Sequence, residues 1–225
     1  MVRWTLAALL LALAAVRPAA ADLPPGVPEN DLREFRIGMT ADELPLTGYL
    51  GFACADAGRK LDGWQSYRQC PPGASGWHAV RFEYDEAANP LAKVNGLYEG
   101  TKVGGHPVLL TALIGDDARL KGLVIETDPA ARLYLRKKAF LFGEQVKARY
   151  GDAGWTCAKE EPTADQEPVG GVFMNEHCEK TTAARKLTLD RVLFRRAGQD
   201  LKDFVSRSRL EILGRGDGEA ARISN

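Results

Sequence analysis

The residues of this chain that could do chemistry are few: four cysteines, three histidines and some adjacent acids. The cysteines come as two pairs with similar approaches. Tyr49-Leu50-Gly51-Phe52-Ala53 leads into Cys54, and Tyr150-Gly151-Asp152-Ala153-Gly154-Trp155-Thr156 leads into Cys157; Cys70 and Cys178 follow. An even number of cysteines in an oxidising compartment points to disulfides, and four cysteines allow three connectivities. The repeat favours Cys54–Cys70 with Cys157–Cys178, one closed loop per copy. Loops of that size stabilise a fold by about 3 kcal/mol in the chain-entropy model. Metal binding is the rival chemistry, with His78, His106 and His177 as further donors. No Cys-x-x-Cys spacing occurs, so neither a metal site nor a dithiol redox centre is assigned.

Catalytic patterns are sought without success. Gly73-Ala74-Ser75-Gly76-Trp77 places Trp77 where a nucleophile elbow needs its last glycine. There is no phosphate-binding glycine loop and no His-Glu-x-x-His. Asp116-Asp117 and Glu160-Glu161 offer the paired carboxylates that hydrolysis uses, although a hairpin turn and a solvated loop are the simpler readings. Arg215-Gly216-Asp217 matches an adhesion tripeptide, a triplet that arises readily by chance in an Arg- and Gly-rich chain. No catalytic residue and no cofactor is assigned.

The amino end indicates the compartment. Met1-Val2-Arg3, the uncharged run from Thr5 to Val16 and Ala19-Ala20-Ala21 have the form of a secretory leader, with cleavage expected after Ala21. That run is short of the roughly 20 apolar residues that span a bilayer. An uncleaved anchor is the alternative. No later segment reaches that length, so a periplasmic or secreted protein without a membrane span is expected. Basic and acidic residues balance at 30 each, which leaves no overall basic excess to attract nucleic acid. Locally, 132–149 is basic and 159–179 is acidic. A solvated helix face followed by a solvated loop is the simple reading, and a charged docking surface is the other.

Several elements can be read from periodicity. Residues 22–35 form a Pro-rich, extended lead-in. Thr40 and Glu43 have capping-box spacing, and Pro45 keeps any helix there short. Val80-Arg81-Phe82-Glu83-Tyr84 alternates as a strand. Val108 to Ile114 and Leu120 to Thr127 flank Gly115–Arg119 as a hairpin. A helix is expected from Asp128-Pro129 to Gly151, with Leu135, Ala139, Phe142, Val146 and Tyr150 as its core stripe. Strands over 169–178, across Leu187-Leu189-Arg191-Leu193 and over 201–213 complete the pattern. The expected fold class is α+β in two tandem modules, each a helix followed by antiparallel strands with one disulfide. Module one covers 36–128 and module two 129–213, with a flexible tail over 214–225. Leu120-Lys121 and Leu201-Lys202 align as equivalents, which places an insertion of module one within 85–107.

Gly38-Met39-Thr40, the acidic helix start, the cysteine pairs and the antiparallel strands together resemble the β-lactamase-inhibitory-protein family. They are also similar to the small lipoproteins that assist outer-membrane barrel assembly. Module two lacks the Gly-Met-Thr motif, and the lipoproteins' anchoring cysteine is absent. The resemblance implies helices packed on an antiparallel sheet, two modules with a disulfide each, and protein–protein binding.

The function expected is therefore a non-catalytic binding, scaffold or inhibitor-like protein, its partner another envelope or secreted protein. A small-ligand carrier or sensor is the alternative, and a hydrolase with an acidic site the second. Trp64, Tyr67, Tyr98 and His106 are the candidate binding residues, near or in the first disulfide loop and the insertion. Aromatics in a polar setting favour interfaces. Packing of the loop aromatics over the disulfide is the competing reading.

Overall fold

The computed structural model describes residues 30–86 and 100–215. The leader with its cleavage point, residues 87–99 of the insertion (Tyr98 among them) and the tail beyond Arg215 lie outside those residues. Ten strands form: β1 Tyr49–Cys54, β2 His78–Tyr84, β3 Lys102–Val103, β4 His106–Ile114, β5 Leu120–Thr127, β6 Trp155–Lys159, β7 Gln166–Glu167, β8 Met174–Thr181, β9 Arg185–Arg196 and β10 Val205–Gly214. They pair antiparallel in one sheet of order β1-β2-β4-β5-β10-β9-β8-β6, with β3 added to β4 and β7 to β9.

Alternation builds this sheet, because successive side chains of a strand point to opposite faces. On β2, Val80, Phe82 and Tyr84 are buried; on β9, Leu187, Leu189, Arg191 and Leu193 are buried. β4 and β5 form the expected hairpin, with Ala118 at φ 60° in its turn. The sheet is joined in the middle by β5 and β10, from Arg209↔Glu126 to Leu213↔Gly122. The two halves of the chain thus share one sheet, in mirrored strand order about that seam.

The α+β expectation is overturned. Among the described residues antiparallel sheet dominates, and the helical elements are α1 (Leu133–Arg136) and α2 (Phe142–Tyr150), with short 3-10 turns at Trp64–Gln69 and Ala139–Leu141. No helix opens the first half. The Thr40–Glu43 capping interaction does form, with the Thr40 amide donating to the Glu43 carboxylate at 2.7 Å, but it closes a lone turn. Sheet-edge bonds claim the neighbouring backbone: Gly38 N–H donates to Leu120 O, Ala41 N–H to Ala118 O, and Leu120 N–H to Met39 O. In the second half Ala139, Phe142 and Val146 of the expected stripe are buried and Leu135 and Tyr150 half-buried, yet the helix opens only at Leu133 and breaks at Arg136, the first of three like charges, Arg136-Lys137-Lys138. The Ser208 hydroxyl donates to Ala139 O at the break. The helix ends where expected, at Gly151 with φ 83°, and Lys180 Nζ donates to the carbonyls of Tyr150, Gly151 and Ala153.

Two strand boundaries also shift. Val169 and Val172 bridge each other outside the sheet, and β8 begins only at Met174. Leu201 is 82% exposed in the turn before β10, so Leu201-Lys202 does not match Leu120-Lys121, which opens β5. β2 ends at Tyr84 and β4 begins at His106, whereas β8 ends at Thr181 and β9 begins at Arg185. Both disulfides are present, Cys54–Cys70 and Cys157–Cys178. No helix among the described residues is long and apolar enough to cross a membrane.

Candidate functional site

Three elements meet over the seam: the strap of residues 30–37, the β3–β4 hairpin and α2. Asp31 fixes the strap to the far half of the sheet. Arg185 donates to both of its carboxylate oxygens, at 2.7 and 2.9 Å, and the Ile37 amide donates to Oδ2 at 2.7 Å. The Tyr150 hydroxyl donates to Asp31 O, and Arg149 donates to Asn30 O. Burial drives the Tyr150 phenol up to about 12, so it remains a donor. The hairpin turns at Gly104, which has φ 57° and lies against α2; a Cβ there would sit 1.6 Å from Gln145 Oε1. A glycine at this position meets both needs, positive φ and close approach.

Between these elements lies a cleft of two chambers. The inner one, about 240 Å³, has Ile125 and Leu210 of the sheet as floor, Phe142 and Val146 of α2 as one wall, and Leu32 and Val103 opposite. Asp31 touches it, but its charge is already met by Arg185. The outer chamber, about 410 Å³, is lined by Arg33, Lys102, Arg149 and Tyr84 and shares Leu32, Val103, Gly104 and Arg149 with the inner one. Arg33 lies 3.3 Å above the Tyr84 ring and pairs with Glu86 at 3.0 Å. Burial raises the Tyr84 phenol above its ordinary value, with Arg33 opposing, and keeps it neutral. An apolar chamber opening onto a cationic one suits an amphipathic, acidic occupant.

The residues singled out from the sequence fall in different places. Trp64 and Tyr67 are buried in the core, not on a surface, which corrects their reading as exposed anchors. Trp64 packs edge-on against Phe35, Phe52 and Phe82, and its indole donates to Pro45 O at 2.8 Å. The competing reading had these rings packed over the disulfide; they are inside, with Trp64 against rings of the strap, β1 and β2. His106 sits beside the cleft, with its ring 5.8 Å from Phe142 and edge-on to it. Burial, with Lys138 nearby, holds its imidazole below the ordinary value. Tyr98 lies outside the described residues. Arg33, Asp31 and Lys102 gave no sequence signal. Arg149 belongs to the basic 132–149 run, whose simple reading was a solvated helix face.

The Asp116-Asp117 pair is occupied by structural contacts, and Glu160 of the other pair accepts from Asn175. Asp116 Oδ1 is 3.0 Å from His78 Nε2, while His78 Nδ1 donates to Cys70 O at 2.7 Å. Asp117 accepts from Lys121 within the hairpin turn; that bond above all holds its carboxyl below the usual range, against slight desolvation. A second cluster lies under α2. Arg191, at an inward position of β9, donates to Glu176 and Glu144, and Lys147 lies 3.5 Å from Glu176. A Cβ at Gly143 would sit 2.1 Å from Arg191 Cδ, so α2 can pass over the guanidinium stem only with glycine there. Burial pushes Glu176 up, but the Arg191 hydrogen bonds and charge, then Lys147 and Lys159, outweigh it and hold the carboxyl below its ordinary value. Among the described residues, the one group of donors close enough to share a metal ion is Cys157, Glu176 and Cys178, whose sulfurs are joined to each other.

Comparison with protein families, with characterised proteins and with solved structures finds no match.

Proposed function

We propose that this chain is an exported, non-catalytic binding protein that receives an acidic segment of a partner protein in the seam cleft. One observation carries the reading: an apolar chamber opens directly onto a chamber whose charged lining is basic. An apolar side chain of the partner would fill the space between Phe142, Val146 and Leu32. Its acidic neighbours would face Arg33, Lys102 and Arg149. Buried anchors of this kind supply most of an interface's energy, and the charges supply orientation and on-rate. The leader pattern and the two disulfides support a partner in the bacterial envelope or outside the cell. The resemblance to the inhibitory proteins favours the same class. A second reading, a small-ligand carrier, is favoured by the position of the inner chamber between sheet and helix.

The test is a pull-down from an envelope extract with the parent chain and with Lys102→Glu combined with Arg149→Gln. Loss of the retained protein by at least tenfold, at an unchanged melting temperature, is expected. A single high-affinity partner retained equally by both chains would overturn the proposal. Native mass spectrometry showing a co-purified small molecule, lost in Val146→Trp, would transfer the cleft to the carrier reading.

A further inference from the structure

Between Pro129 and Gly143 the chain holds four cations, Arg132, Arg136, Lys137 and Lys138, and no acid. The acids that flank this stretch are engaged. Asp128 accepts from the Ala130 amide at 2.8 Å, and Glu144 accepts from Arg191. Lys137 and Lys138 are exposed, and neither has an ion-pair partner among the described residues. A solvated helix face would set polar side chains around such cations. This stretch does the reverse: Leu133 is 47% exposed, Tyr134 55% and Leu141 41%.

The backbone sets the apolar and cationic side chains next to one another. Lys137 N–H donates to Leu133 O at 3.0 Å in α1, and Leu141 N–H donates to Lys138 O at 2.9 Å in the 3-10 turn that follows. Side chains four apart in an α-turn, or three apart in a 3-10 turn, are neighbours. Leu133 therefore lies beside Lys137, and Leu141 beside Lys138. The other side of the stretch is fixed to the sheet, where the Ser208 hydroxyl donates to Ala139 O and the Arg136 guanidinium lies 5.4 Å over the Phe204 ring. The turn before β10, which Arg136 meets at Phe204, adds Leu201 and Lys202 but also Asp200 and Asp203. Any attraction for anions thus rests with residues 132–138.

We infer that residues 132–141 are a docking surface for an anionic lipid bilayer, against which the chain lies without crossing. Protein–protein interfaces gather apolar side chains into a core depleted of charge, and lysine is depleted from them. Here lysine and arginine are interleaved with leucine and tyrosine, so no such core forms. A headgroup layer suits that mixture. Leucines enter the acyl boundary, the cations stay at phosphate level on their long apolar stems, and a tyrosine ring sits between the two with its hydroxyl outward. Anionic lipid supplies the charge that the four cations complement. The inference is independent of the seam cleft, since no residue of 132–141 lines either chamber.

The experiment is vesicle co-sedimentation of the full mature chain at low salt, with phosphatidylcholine alone and with phosphatidylcholine mixed with phosphatidylglycerol. The chain is expected to sediment with the mixed vesicles and not with phosphatidylcholine alone, and to be released as salt is raised. Lys137→Glu combined with Lys138→Glu should weaken binding at least tenfold. Tyr134→Ser combined with Leu141→Ser should weaken it several-fold at an unchanged melting temperature, while Lys102→Gln in the seam cleft leaves it unchanged. Should a double variant fail to fold, the single changes Lys137→Glu and Tyr134→Ser, both at exposed positions, take its place. Equal binding to both vesicle types, binding to neither, or full binding by the folded variants would overturn the inference. So would an envelope protein retained by the parent and lost with Tyr134→Ser and Leu141→Ser, in the absence of vesicle binding, because the stretch would then be a protein interface.

Discussion

The two halves of the sheet solve the same problem with different chemistry. The first half is held by rings. Phe35, Tyr49, Trp64, Phe82 and Tyr84 stack at centroid distances of 5.0–5.9 Å, and both cysteines of its disulfide are buried. The second half buries charge instead. Arg191 and Glu176 face each other under α2, each 4% exposed. Its disulfide joins directly paired residues of β6 and β8, with Cys178 buried and Cys157 exposed. Ring packing is additive and tolerant of conditions, because its free energy follows the area removed from water. A buried ion pair is conditional, because each charge is stable only while the other is there. The halves should accordingly fail in different ways.

The largest losses are expected where each half is anchored. Trp64→Ala should cost about 3–5 kcal/mol by emptying the ring cluster. Glu176→Ala should cost about 3–5 kcal/mol because it leaves the buried Arg191 with only the more exposed Glu144 as partner. The contrast sharpens in the double variant Glu176→Leu with Arg191→Leu, which should lose less than either single change; no such rescue exists for Trp64. Urea unfolding of the four chains measures this, and a double variant as damaged as the sum of the singles would erase the distinction. Next in size are the disulfides. Their loops of 16 and 21 residues predict nearly equal stabilisation, about 3 kcal/mol each. Access differs, so a mild reductant should open Cys157–Cys178 first, as timed thiol labelling with peptide mapping would show. Simultaneous opening would mean that both report global unfolding. Gly143→Ala should cost about 1–3 kcal/mol by overpacking against Arg191, while the same change at exposed Gly58, with open space around it, should cost little beyond its positive φ.

The smallest difference expected is in pH response. The Glu176 carboxyl is held below its unfolded value, so its contribution is complete above the ordinary carboxylate range and is lost as pH falls through the folded value. Acid should therefore loosen the second half ahead of the first. Hydrogen exchange resolved along the chain, in the parent and in Glu176→Gln, checks the sign. Earlier loss of protection around Phe82 than around Leu189 would reverse it.

Much of the strand content was legible because alternation is a local signal. β2, the β4–β5 hairpin and β9 each carried it, and β9 even marked Arg191 as inward-facing. The seam was not legible. Pairing of β5 with β10 joins residues more than 80 positions apart, as with Thr127 and Ser208 at |i−j| of 81, and no local pattern encodes it. The Thr40–Glu43 box was read correctly as a hydrogen bond and wrongly as a helix, since sheet-edge carbonyls compete for the same backbone. Trp64 and Tyr67 were read as wet because Gln65, Arg68 and Gln69 surround them. In a 3-10 turn residues three apart eclipse, so a single buried face can hold both rings while the polar neighbours point outward. The candidate cleft was hidden for the same reason as the seam, because its walls come from Leu32, Val103, Phe142 and Leu210.

The strap has a consequence for how the molecule is made. Asp31 is among the first described residues to leave the ribosome, and its partner Arg185 emerges 154 residues later. β10, which joins β5 to β9, is the last strand among the described residues. Until it appears, β5 offers an open edge on its seam side, although the strap already has Arg149, Tyr150 and Arg185 to fasten to. A growing chain can close its first disulfide loop and pair β1, β2, β4 and β5, but the step that joins the two halves of the sheet waits for β10. Synthesis runs in one direction, and in this molecule an early segment, the strap, is held in place by a late strand, β9.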